Sequence, residues 1–159
     1  MDIFRQRDAM DCGPACLVMI CSHYGCRFPI ERVRELCHIT RTGVSLLGIS
    51  EAAETLGLRT QGISCSLDSL LEVELPIILY WQQRHFVVLY KIEKKRGKYI
   101  YHIADPALGD AFDLLRNTYT VGTQGDNLIG LRVDGDIGCK RLSALGCYLN
   151  GFAEIAGCE

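Results

Sequence analysis

The chain has 159 residues, 48% of them hydrophobic, and a formal charge of −2 from 17 basic and 19 acidic side chains. A length of this order suits one domain, with a core large enough to fold without cross-links. The mixed charge argues against a nucleic-acid binder or an anionic-membrane binder, and apolar runs of six or seven residues such as "LPIILYW" are far shorter than a membrane-spanning helix. Nine cysteines, an odd number at irregular spacings, read as reduced thiols in the cytoplasm rather than a disulfide scaffold.

In chain order, "CGPACLVMICSHYG" predicts a largely buried helix that starts at a Gly-Pro pair and stops at Gly25. Residues Pro29 to Cys37 predict an amphipathic helix. "SLLGISEAAETLGL" predicts a third, with Ser45 as its cap and Gly57 closing it, and a short fourth is expected near Ser66. The period then changes. "PIILYW", "HFVVLYKI" and "KYIYHIAD" read as successive antiparallel strands, the last two a hairpin turning within "EKKRGK". A helix-like piece is expected after Gly109 in "DAFDLLRNTY", and "LIGLRVD" as one more strand. Helices first and strands second is an α+β pattern, with N-terminal helices packed on an antiparallel sheet.

"QRDAMDCGPAC", Gln6 to Cys16, is the stretch richest in chemistry. Cys12 falls at the start of the first helix, where unpaired N–H groups and the positive end of the helix dipole favour thiolate. Cys16, one turn on, lies inside an apolar helix and reads as packing. A zinc site would need about four ligands, and Cys37-His38 is the one other nearby cluster; a redox pair would prefer two intervening residues to the three found here. A plain buried cysteine in a tight turn is the bland alternative.

A nucleophilic cysteine needs a base. His23 is about 16 Å of helix rise from Cys12 and cannot serve, and His38 reads as solvated. His85 opens an apolar strand. A turn within "EKKRGK" pairs residues whose numbers sum to about 191 to 193, which sets Asp105 opposite Phe86 to Val88, close to His85. His102 falls deeper in the hairpin, where a structural role fits. Gln6, just upstream of the cysteine, offers a side-chain amide to a developing oxyanion, alongside the Cys12 N–H. An exposed Gln6 is the alternative.

The chain resembles the C39 family of papain-like cysteine peptidases, the peptidase domains of bacterial ABC transporters that cut leaders after a double-glycine motif. The likeness rests on "QRDAMDCGPAC", "GVSLLGISEAAETLGL", "LPIILYWQQRHFVVLYKI" and "YIYHIADPALG", and runs from about Asp2 to Asp113. It implies Cys12 as nucleophile, His85 as base and later acid, Asp105 as the group orienting His85, and Gln6 in the oxyanion hole, with no metal and no cofactor. It implies a bacteriocin, lanthipeptide or related precursor as partner, bound through an amphipathic leader helix, and the transmembrane and nucleotide-binding parts of a transporter as a second partner. The setting would be cytoplasmic. The presence of Cys12 and His85 argues against the non-cleaving relatives, which are leader-docking modules. A peptidase domain over 1–134 and an extension over 135–159 are expected. The tail ends in "AGC" before Glu159, reminiscent of a double-glycine-type cut before Cys158, but a surface helix or irregular terminus is the plainer reading.

Overall fold

The computed structural model of the chain describes residues 1–41, 43–81, 85–112 and 128–135. The expected extension over 135–159 lies outside the described residues, apart from Gly135. Among the described residues three α-helices, α1 (Cys12–His23), α2 (Ile30–Leu36) and α3 (Leu46–Thr55), precede all the strands of a six-stranded sheet. The strands are β1 (Leu58–Cys65), β2 (Ile77–Trp81), β3 (His85–Lys95), β4 (Lys98–Asp105), β5 (Gly109–Phe112) and β6 (Leu128–Gly135), in the spatial order β1-β6-β2-β3-β4-β5 with every pairing antiparallel. This is the expected α+β architecture.

Local chemistry sets the helix ends. The Ser45 hydroxyl accepts the Gly48 N–H at 3.0 Å and caps α3. Gly25 and Gly57 follow α1 and α3 at φ 78° and 81°, a region that glycine enters without a Cβ clash. The fourth helix is a single 3-10 turn, Ser69–Glu72, which buries Leu70.

Alternation along the strands divides the core between the two faces of the sheet. On one face Ile78, Phe86, Val88, Leu131 and Val133 meet Leu17, Ile20 and Ile49 of the helices. On the other, Ile77, Leu79, Val87, Leu89 and Ile103 pack around Leu70 and Trp81. Strands β3 and β4 turn through Arg96 and Gly97, both at positive φ (50° and 78°), with Lys95 facing Lys98. That is the backbone of a two-residue hairpin loop matched to strand twist. The facing pairs sum to 193, then to 192 past an irregularity between Leu89 and Lys91, within the expected register.

Two sequence expectations need correcting. β1 was not foreseen, because "LRTQGISC" buries one residue, Leu58, and carries Gln61 and Gly62 at its centre. As an edge strand paired only with β6, it needs no apolar alternation on two faces. The segment expected as helical after Gly109 begins instead as β5, because Asp105 pairs with Gly109 and the chain turns straight back along β4. The rest of that segment lies outside the described residues. One further expectation is revised: Cys12, Cys16, Cys21, Cys37 and Cys65 are free thiols, whereas Cys26 is disulfide-bonded.

Gly130 sits where β6 passes between β1 and β2. A Cβ there would stand 2.7 Å from the Ile78 carbonyl oxygen and 3.1 Å from Leu79 Cδ2. Main chain cannot yield as a side-chain tip can, so Gly130→Ala is expected to destabilise the fold by about 1–3 kcal/mol, read as a lower urea midpoint with unchanged slope.

Candidate active site

The first turn of α1 is set by what precedes it. Asp8 accepts the Met10 N–H at 3.2 Å, and the 3-10 turn Ala9–Asp11 leads directly into Cys12 as the first residue of α1. Pro14 falls in the first helical turn, where a missing N–H costs nothing. Gly13 is required by space: a Cβ would meet Val44 Cγ1 at 2.2 Å and Ile49 Cδ1 at 2.9 Å. The helix start is thereby pressed against the segment that leads into α3.

His85 opens β3 and Asp105 closes β4, so the hairpin presents both at one end of the sheet. His85 Nε2 and Asp105 Oδ1 are 2.8 Å apart. The imidazole also hydrogen-bonds the Cys12 thiol. With Nε2 engaged by the carboxylate, Nδ1 is the nitrogen left for sulfur. Asp105 is 4% exposed, and its Oδ1 also accepts the Ala107 N–H at 2.7 Å and the Leu108 N–H at 3.3 Å. That side-chain turn, typical of Asp, fixes the carboxylate before the histidine reaches it.

The charges follow from these contacts. Burial pulls the Cys12 thiol up, but the His85 hydrogen bond, the Phe86 main chain, the His85 charge and the Gly13 N–H together bring it below the ordinary cysteine value. His85 is raised to about 9 by its hydrogen bonds to Asp105 and Cys12, against burial. Burial raises Asp105, but the His85 bond, the Ala107 and Leu108 amides and the His85 charge outweigh it and hold the carboxyl below its usual range. The three groups therefore favour thiolate, imidazolium and carboxylate in a row.

Cys16 differs in every respect. It is fully buried, and burial, followed by the charges of Cys12 and Asp105, pushes its thiol well above the ordinary value. Burial likewise pushes Cys21 and Cys37 up to about 12. Among the described residues no group of three or more His, Cys, Asp or Glu is arranged to hold a metal ion.

Of the four residues singled out in the sequence, the structure brings Cys12, His85 and Asp105 together. Gln6 joins them through its main chain, whose N–H donates to the Pro106 carbonyl at 2.9 Å, one residue past Asp105. Its side-chain Oε1 is buried and has no hydrogen-bond partner among the described residues. His102 pairs with Glu93 Oε2 at 3.2 Å away from this row, and His38 is exposed. Sequence reasoning did not find the ion pair between Arg34 Nε and the buried Asp11 carboxylate, 3.2 Å apart. No spacing rule links a residue of α2 to the one before the nucleophile. The Asp105-Pro106 step, by contrast, carried a legible turn signal.

The sequence model of the Peptidase C39 family matches residues 1–112. The chain belongs to the peptidase C39 family. Relatives include the probable microcin-H47 secretion/processing ATP-binding protein MchF of Escherichia coli, 39% identical over 107 residues, covering 67% of this chain and 15% of that protein. The lactococcin-G-processing and transport ATP-binding protein LagD of Lactococcus lactis is 37% identical over 113 residues, covering 67% and 16%. This C39 chain thus spans about a sixth of the length of these two relatives. Among solved structures, a double glycine motif protease from an AMS/PCAT transporter, in complex with the leader peptide, superposes with a TM-score of 0.74 at 28% identity, over 85% of this chain and 91% of that one. The peptidase domain of Streptococcus ComA shares the fold, with a TM-score of 0.69 at 24% identity over 84% and 98%.

Proposed function

We propose that this C39 domain is an active cysteine endopeptidase that cuts leader peptides after a double-glycine-type motif in bacteriocin, lanthipeptide or related precursors. The observation that carries this reading is the row Cys12, His85, Asp105, hydrogen-bonded in sequence with the thiol at a helix start. Leader-docking modules that do not cleave have no need of such a row.

In the proposed reaction the Cys12 thiolate attacks the carbonyl carbon of the glycine before the scissile bond. The C=O electron pair moves onto oxygen, where the Gln6 amide and the Cys12 N–H would receive the oxyanion. As the tetrahedral species collapses, the C–N bond breaks and the His85 imidazolium gives its proton to the departing amine. His85, now neutral, takes a proton from water as that water attacks the thioester, and the leader acid leaves with the thiolate restored. Asp105 keeps the imidazole turned toward sulfur throughout.

The whole transporter lies beyond what this chain spans, and its part here is also a proposal. The domain would act beside the transmembrane and nucleotide-binding parts of an ABC exporter, on the cytoplasmic side, and take the leader as an amphipathic helix. Incubation with a panel of double-glycine leader peptides, read by mass spectrometry, tests the reading. A single cut directly after the second glycine is expected, and binding of leaders without any turnover by the reduced protein would overturn it.

A further inference from the structure

Asp11 occupies the N-cap position of α1, yet its side chain makes no capping hydrogen bond. An aspartate there ordinarily folds back to accept the N–H of the second or third helical residue. The third is Pro14, which has no N–H, so the second, Gly13, is the only donor a cap could take. The Gly13 N–H is also one of the groups that stabilise the Cys12 thiolate. Cap and sulfur therefore compete for one donor.

The competition is decided from another helix. Asp11 is buried, with 2% of its side chain exposed, and its Oδ1, which makes no hydrogen bond among the described residues, lies in ion-pair contact with Arg34 Nε on α2 at 3.2 Å. The other ion-paired charges of α2 point elsewhere: Glu31 pairs with Arg7 at 3.9 Å and Arg32 with Glu35 at 3.6 Å. Around the sulfur itself the titratable neighbours are His85 of β3, Cys16 of α1 and, beyond them, Asp105 of β4.

We infer that Arg34 is a positioning residue for the nucleophile: it holds the Asp11 carboxylate against α2 and so leaves the Gly13 N–H to the Cys12 sulfur. The inference rests on the proposed role of Cys12. Without Arg34 the buried carboxylate turns to the Gly13 N–H, removing a donor from the thiolate and bringing a negative charge toward it. Both changes favour the protonated thiol.

The test is the pH dependence of iodoacetamide alkylation at Cys12 in the full chain, located by peptide mapping, with near-ultraviolet circular dichroism as the check on folding. R34Q is expected to move the acid limb of alkylation up by about one pH unit, so that Cys12 reacts about tenfold more slowly at a pH on that limb. D11A/R34Q, with no carboxylate left to turn inward, is expected to return the limb to its parental position. A merely structural role would not produce that recovery. An unchanged limb in folded R34Q overturns the inference, and so does a limb that stays displaced in D11A/R34Q. Should R34Q fail to fold, R34K, which keeps a cation facing Asp11 but lacks the Nε group, takes its place against D11A/R34K, with a displacement of the same sense and its recovery expected, and an unmoved limb in folded R34K overturning the inference. Parental leader cleavage alongside an unmoved limb defeats only this inference, whereas an alkylated Cys12 in a protein that never cleaves leaders defeats the proposed function.

Discussion

Cys12→Ala is expected to abolish cleavage of a double-glycine leader peptide, leaving no turnover above background, while circular dichroism and the urea midpoint stay close to those of the parent. The loss is complete because the attacking atom is gone, and neither an oxyanion hole nor an oriented histidine supplies another. The fold survives because Cys12 lies at the edge of the core at 7% exposure, and its loss removes one sulfur from a helix whose packing rests on Leu17, Ile20 and Cys21. Cys16→Ala serves as the contrasting variant. Its thiol is fully buried and held protonated, so its replacement acts on stability through a small cavity and leaves the chemistry in place. Equal turnover by Cys12→Ala and parent, measured on one leader peptide, would overturn the assignment of the nucleophile.

The second large effect concerns Asp105. Its hydrogen bond is the leading cause that raises His85 to about 9, so the parental profile of kcat/KM against pH should fall on its alkaline side near that value. In Asp105→Ala the histidine loses this support and its alkaline limb moves down toward the ordinary 6.5. Turnover at neutral pH is expected to drop by roughly two to four orders of magnitude, because the imidazole is both less protonated and free to rotate. A profile whose alkaline limb stays in place would show that Asp105 does not set the charge of His85. The same linkage acts on stability. The raised His85 contributes stability that is fully present below about 6.5 and is lost as pH rises through about 9. Depressed Asp105 works in the opposite sense, contributing above the ordinary 3.8 and losing that contribution as pH falls through its lowered value. The native state is thus favoured between these limits.

Much of this was readable from sequence where the physics is local. Ser45 with Gly48, Gly25 and Gly57 at helix ends, and "KRGK" at a hairpin turn all depend on neighbours a few residues apart. One further step brought His85 to Asp105, because a hairpin converts turn position into register. What escaped depends on partners distant in sequence. β1 exists because β6 returns to cover it some seventy residues later, and no alternation of its own announces it. β5 is a strand because β4 is beside it, overriding a composition that reads as helix. The Asp11–Arg34 pair needed the packing of α2 on α1, which no pattern in either segment specifies.

The bond from the Gln6 N–H to the Pro106 carbonyl fastens the N-terminal arm to the end of β4. Both partners are main chain, so replacement of one side chain by another leaves donor and acceptor intact, unless proline removes the N–H. Spacing, in contrast, is rigidly held. Gln6 stands six residues before Cys12, and Pro106 directly follows Asp105. Losing or gaining one residue in either interval would slide the glutamine past the sulfur, or the acid past the histidine. Drift among relatives should therefore show as changed letters at fixed length along Gln6 to Cys12, with insertions and deletions falling elsewhere.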